Sequence, residues 1–129
     1  ETRGMTANAF MSASLEPPLC VVAVDKRAHM HAHLLRTGTF AVNILAAGQE
    51  AYARHFAGRP DPELAIAFAD LQGVPTLAEA AARMTAERVA AHDCGDHTLF
   101  IGRVLQMTAA DRPPLLYYAS RYGRMADFG

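Results

Sequence analysis

Tryptophan is absent from this chain, cysteine occurs only twice, and charged residues make up just 19% of it. Each shortage removes a class of protein. Two cysteines, Cys20 and Cys94, are too few for a disulfide framework, and a reducing, cytoplasmic setting is the simplest reading of that usage. With 12 Lys and Arg against 13 Asp and Glu, the formal net charge is -1, which offers nothing to nucleic acid or an anionic membrane surface. No apolar run approaches the roughly 20 residues of a membrane-spanning helix. Repeats and low-complexity tracts are missing too, and no signal peptide is visible, although an opening at Glu1 rather than Met leaves room for an upstream segment. What is left is 129 residues, 51% of them hydrophobic, enough for one domain with a substantial core.

The first dozen residues carry the clearest pattern. From Gly4 to Ser14, read as a strand, successive side chains point to opposite faces. Met5, Ala7, Ala9, Met11 and Ala13 are apolar and mostly small; Thr6, Asn8, Ser12 and Ser14, interrupted by Phe10, are neutral hydrogen-bonding groups. A solvated face would normally include Lys, Glu or Arg. Short uncharged donors beside small residues suit a strand with a planar polar ligand lying against its backbone. A half-buried strand whose polar face meets water is the plainer alternative, and the pattern alone weighs the two evenly.

Glu16-Pro17-Pro18 ends that strand, because proline withdraws ladder donors. Leu19 to Val24 is an apolar run that reads as a buried strand, and Asp25-Lys26-Arg27 breaks it. A short helix is expected at Leu34-Leu35-Arg36, a strand over Phe40 to Leu45, and a helix over Gln49 to Phe56. Arg59 to Thr76 reads as a long excursion with a helical turn near Glu63 to Phe68. Ala78 to Ala91 is ambiguous: alanine favours helix, whereas the alternation Met84, Ala86, Arg88, Ala90 suits a strand, and a helix-to-strand change near Arg83 is a third option. Asp93-Cys94-Gly95-Asp96 is a turn before the strongest strand, His97 to Met107, and Leu115 to Ala119 is a last short one. Several strands with Pro-rich turns and one or two short helices predict a mainly β fold, a closed β-barrel with peripheral helices.

Several segments in fixed order then become informative together: Gly4-Met5-Thr6-Ala7-Asn8-Ala9-Phe10, Ser12-Ala13-Ser14-Leu15-Glu16-Pro17-Pro18-Leu19, Val24-Asp25-Lys26-Arg27, Gly38-Thr39-Phe40-Ala41-Val42-Asn43-Ile44-Leu45 with Gln49, Gly95-Asp96-His97-Thr98-Leu99-Phe100-Ile101-Gly102, and Pro114-Leu115-Leu116-Tyr117-Tyr118 with Arg121-Tyr122. Over roughly Gly4 to Tyr122 the sequence resembles the short-chain flavin reductases, which have a split-barrel flavin-binding fold and include the reductase components of two-component flavin monooxygenases. The resemblance implies a single flavin reductase-like domain over 1–129, a Greek-key split barrel lacking the helix and first strand that relatives carry upstream.

It also implies a site. Thr6, Ala7, Asn8 and Ala9 would lie against the isoalloxazine and ribityl chain of FMN or FAD, with Ser12 and Ser14 offering hydroxyls further along. In the turn Asp25-Lys26-Arg27, the two cations would face the flavin phosphate, where charge-assisted bonds are strong. The alternative is a solvated turn. Relatives often carry small hydroxyl residues where Ala28 and Met30 stand, so backbone amides, Lys26, Arg27 or a nearby histidine would serve the phosphate here. Asn43 and Gln49 would bond flavin polar atoms or satisfy buried backbone groups. By the same resemblance His97 is the candidate catalytic residue, contacting the nicotinamide of NADH or NADPH; bonded to Asp96, it would instead merely cap a strand. Arg121 and Tyr122 would contact the dinucleotide. No Gly-rich phosphate loop of the Rossmann type is present.

His29, His31 and His33 would face one way on a strand, which invites a zinc reading, but a polar loop leading into a helix is favoured and no metal is expected. The expected function is an NAD(P)H:flavin oxidoreductase, a homodimer by resemblance, supplying reduced flavin to a monooxygenase. The rivals are a flavin-binding protein without reductase activity and a metal-binding module built on the histidine triplet.

Overall fold

The computed structural model describes residues 3–126; the ends of the expected 1–129 domain, 1–2 and 127–129, lie outside the described residues. The apolar run after the double proline forms β2 (Pro18–Asp25), and the strand rich in β-branched and aromatic residues forms β7 (His97–Ala109). They pair antiparallel at the centre of a five-stranded sheet, with Val22 opposite Phe100 and Val24 opposite Thr98. β1 (Phe10–Leu15) flanks β2, while β6 (Ala82–Cys94) flanks β7 and in turn pairs with β3 (Thr39–Ile44). The order is thus β1-β2-β7-β6-β3, and among the described residues no ladder joins the two edges, so the closed ring expected from the strand and turn pattern is replaced by an open sheet with two separate hairpins. The fold is mainly β, as expected.

One face of this sheet carries the core. Val24, Phe100 and Leu34 of α1 (His29–Arg36) form a buried cluster, against which Met5, Met30 and Phe40 pack. Gly102 lets strands and side chains approach closely, since a Cβ there would stand 2.7 Å from Phe40 Cζ. The expected helix over 49–56 is α2 (Glu50–Phe56), tied by an Arg54–Glu50 ion pair one turn apart.

Three local expectations are corrected. No helix forms over Glu63 to Phe68; a single turn closes from Leu64 N–H to Asp61 O, and the segment then leads into a hairpin of β4 (Phe68–Leu71) and β5 (Val74–Leu77), turned by Gln72 and Gly73 at φ +51° and +83°. The 78–91 ambiguity resolves to strand from Ala82, because Met84 and Ala86 bury against both neighbouring strands, and pairing overrides alanine's preference. The histidine triplet lies on α1, which begins at His29 rather than near Leu34. Helical rotation separates the three rings: His31 Nε2 sits 2.7 Å from Thr98 Oγ1, while His33 turns toward Arg36. The chain ends in the hairpin β8 (Leu116–Tyr118) and β9 (Arg121–Gly123), docked through the Ala46–Pro114 bridge.

Candidate functional site

The amino-terminal ribbon is laid down by two anchors rather than by a full ladder. Strand pairing begins only at Phe10; residues 4–9 run outside the regular strand, contrary to a strand from Gly4 onward. Thr6 donates its backbone N–H to Phe56 O (3.0 Å) and its hydroxyl to Ala53 O (2.6 Å), which pins the ribbon to the end of α2. Gly4 passes so close to the Phe56 ring that a Cβ would lie 3.0 Å from it. At the other anchor Ala23 donates to Ala9 O at 2.9 Å. Between the anchors Ala7, Asn8 and Ala9 are exposed and uncharged, which leaves their backbone edge open to a flat ligand.

Along β2, Ala23 is followed two residues later by Asp25, one pleat repeat of about 7 Å further on. Asp25 is paired across the ladder with His97, so the ribbon's end, the charged turn and His97 share one end of the central strands. His97 Nδ1 donates to Asp96 Oδ1 at 2.7 Å, leaving Nε2 as the ring's second polar atom. That bond lowers the Asp96 pKa below its ordinary value. Asp25 accepts from the Arg27 side chain at 3.2 and 3.0 Å and from its backbone N–H at 2.8 Å; these bonds, the guanidinium foremost, hold its carboxyl well below the usual range. Lys26 is ion-paired with Asp93. Immediately downstream α1 starts without a side-chain cap, Ala28 standing at the cap position and no acidic residue in the first turn. Uncapped helix N–H groups beside two cations favour an anion.

Other expected residues are placed differently. A bulge at Ala13 leaves Ser12 opposite Cys20 and Ser14 opposite Leu19; as neighbours on β2 point to opposite faces, the two serines do not share a face as their spacing implied. Asn43 Oδ1 accepts from Leu77 N–H (2.8 Å) and Gln49 Oε1 from Ala46 N–H (2.9 Å), so both carbonyls satisfy backbone. Arg121 and Tyr122 lie on β9, beside a groove of about 270 Å³ that they share with Tyr118 and Arg124. Tyr122 packs on Tyr117 at 5.0 Å between centroids, and Arg54 of α2 stands 5.2 Å above its ring. Arg54 thereby joins this hairpin to the helix that holds Thr6. Sequence reasoning missed that role, because Arg54 and Tyr122 lie far apart in the chain and meet only through the fold.

The flavin reductase like domain model matches residues 1–126. The chain belongs to that family. It is 43% identical over 119 residues to an NADH-dependent flavin reductase of a Rhodococcus species, an alignment covering 92% of this chain and 68% of the relative. It is 40% identical to the reductase component of 4-hydroxyphenylacetate 3-monooxygenase of Thermus thermophilus, over 97% of this chain and 80% of that one. The solved NADH:FAD oxidoreductase SgcE6 of Streptomyces globisporus, in complex with NAD and FAD fragments, superposes with a TM-score of 0.87 and 40% identity, covering 97% of this chain and 78% of that one.

Proposed function

We propose that this chain is an NADH-dependent flavin reductase that reduces FMN or FAD and supplies reduced flavin to a partner monooxygenase. The observation that carries the reading is the meeting, at one end of β2, of the exposed ribbon end, a two-cation turn entering an uncapped helix, and a histidine fixed by a carboxylate. These residues fit a flavin. Ala7, Asn8 and Ala9 admit the ring to backbone groups, and Lys26, Arg27 and the first N–H groups of α1 receive the phosphate.

Bound flavin supplies the hydride acceptor; the chain supplies placement. Asp96 holds the His97 ring so that Nε2 is the atom available to the nicotinamide side. Arg121 and Tyr122, braced by Arg54, receive the remainder of the dinucleotide. A homodimer, expected from the family resemblance, is part of this reading; Met11, Leu15, Val89, Met107 and Tyr118 are among the large side chains left exposed on one copy. Cys20 and Cys94 are both free, which supports a cytoplasmic setting; among the described residues no helix is long and apolar enough to cross a membrane.

Purified protein is expected to consume NADH only when micromolar FMN or FAD is added. His97→Ala should abolish most of that consumption while retaining flavin binding. Absence of flavin-dependent consumption with either NADH or NADPH would refute the reading.

A further inference from the structure

An anion arriving at the charged turn beside the helix start must compete with carboxylates already paired to its cations. Arg27 is held by three bonds from within its own turn, all to Asp25. Lys26 is held from outside it, by Asp93 at the far end of β6, 67 residues away in sequence. Around two fixed cations stand three carboxylates, Asp25, Asp93 and Asp96, so an arriving phosphate meets local negative charge. The three acids are not equivalent. Asp25 builds the turn by accepting the Arg27 backbone N–H, and Asp96 orients His97. Asp93 does neither: its side chain is 80% exposed and pairs with Lys26.

We propose that Asp93 is an affinity-determining residue, an internal competitor that holds Lys26 away from the flavin phosphate. The proposal rests on the placement of that phosphate at the Lys26 turn. A phosphate entering the site displaces the Asp93 carboxylate from Lys26 and gains its charge-assisted bond there; when flavin leaves, the ion pair re-forms and Lys26 keeps a partner. The pair stabilises the flavin-free state, weakens binding and eases release. Easy release is what a reductase delivering its product to a separate enzyme requires. The effect belongs to phosphorylated flavins alone, since riboflavin has nothing to offer Lys26.

The test is a comparison of FMN and riboflavin affinities, by quenching of flavin fluorescence, in wild type, Asp93→Asn, Lys26→Met and the double variant. Asp93→Asn should tighten FMN binding by roughly two- to fivefold, the size of an exposed ion pair. Riboflavin affinity should stay unchanged, and the gain should vanish in the Lys26→Met background. Asp93→Ser, with melting temperatures for each protein, guards against an effect peculiar to asparagine. If Lys26→Met weakens FMN while Asp93→Asn changes nothing, the competitor is refuted and the phosphate placement survives. If Lys26→Met leaves FMN and riboflavin equally bound as in wild type, the placement fails and the proposal with it. Weaker binding of both ligands to Asp93→Asn would mark Asp93 as structural and overturn the idea.

Discussion

The paired strands β2 and β7 and the ribbon of residues 4–9 meet at the Ala23–Ala9 bond, yet they end in opposite environments. Val24 and Phe100 are 1% and 0% exposed; Phe100 is paired to a strand on each side, and Val24 pairs with Thr98 of β7. Ala7, Asn8 and Ala9 lie open, suspended between Thr6 on α2 and the Ala9 carbonyl on β2. The contrast separates two demands on one chain. Burial of the ladder supplies stability, and the ribbon is kept small and uncharged for what lands on it.

The contrast breaks most readily at Phe100. Phe100→Ala removes the centre of the cluster with Val24 and Leu34, in a site without room to collapse; a loss of about 3–5 kcal/mol is expected, read from urea denaturation. A loss below about 1 kcal/mol would place the core elsewhere. The ribbon should behave inversely. Ala7→Leu puts bulk where no protein atom needs the space, so the melting temperature should hold while the flavin KM rises by roughly tenfold. A large drop in melting temperature with an unchanged flavin KM would mean that the ribbon is structural.

Legibility in the sequence divides along similar lines. β2, β3, α2 and β7 were readable because each follows from residues adjacent in the chain: a run of Val and Leu, a periodic face, a Pro or Gly stop. The β4–β5 hairpin was obscured by Pro60, Pro62 and Pro75, although Gln72-Gly73 carried the turn signal. Where strand pairing begins in the amino-terminal segment was not readable, because Thr6 is claimed by Ala53, 47 residues away. At the site, the family resemblance implied one chemistry for Ala9, Lys26 and His97, which the residue types alone left open, and their meeting depends on the β2–β7 register. The partners of Lys26 and Tyr122, Asp93 and Arg54, are contacts made across the fold, and no local pattern contains them.

The smallest expected effect lies where the two regions meet. Asp25 ends β2 and opens the turn, and its pKa is lowered by the Arg27 side chain first and the Arg27 N–H second. A carboxyl with a folded pKa below its unfolded value of about 3.9 stabilises the native state fully above that value. As pH falls further the stabilisation is lost progressively, since the folded protein gives up a favourable charge that the unfolded chain has already neutralised. The difference in melting temperature between wild type and Asp25→Asn should therefore be constant from neutral pH to about 5 and shrink below about 4. Asp96, lowered by His97, acts in the same direction, so Asp25→Asn should retain part of the acid sensitivity. Curves that stay equally separated down to about pH 2 would show that Asp25 acts through the shape of the turn rather than its charge.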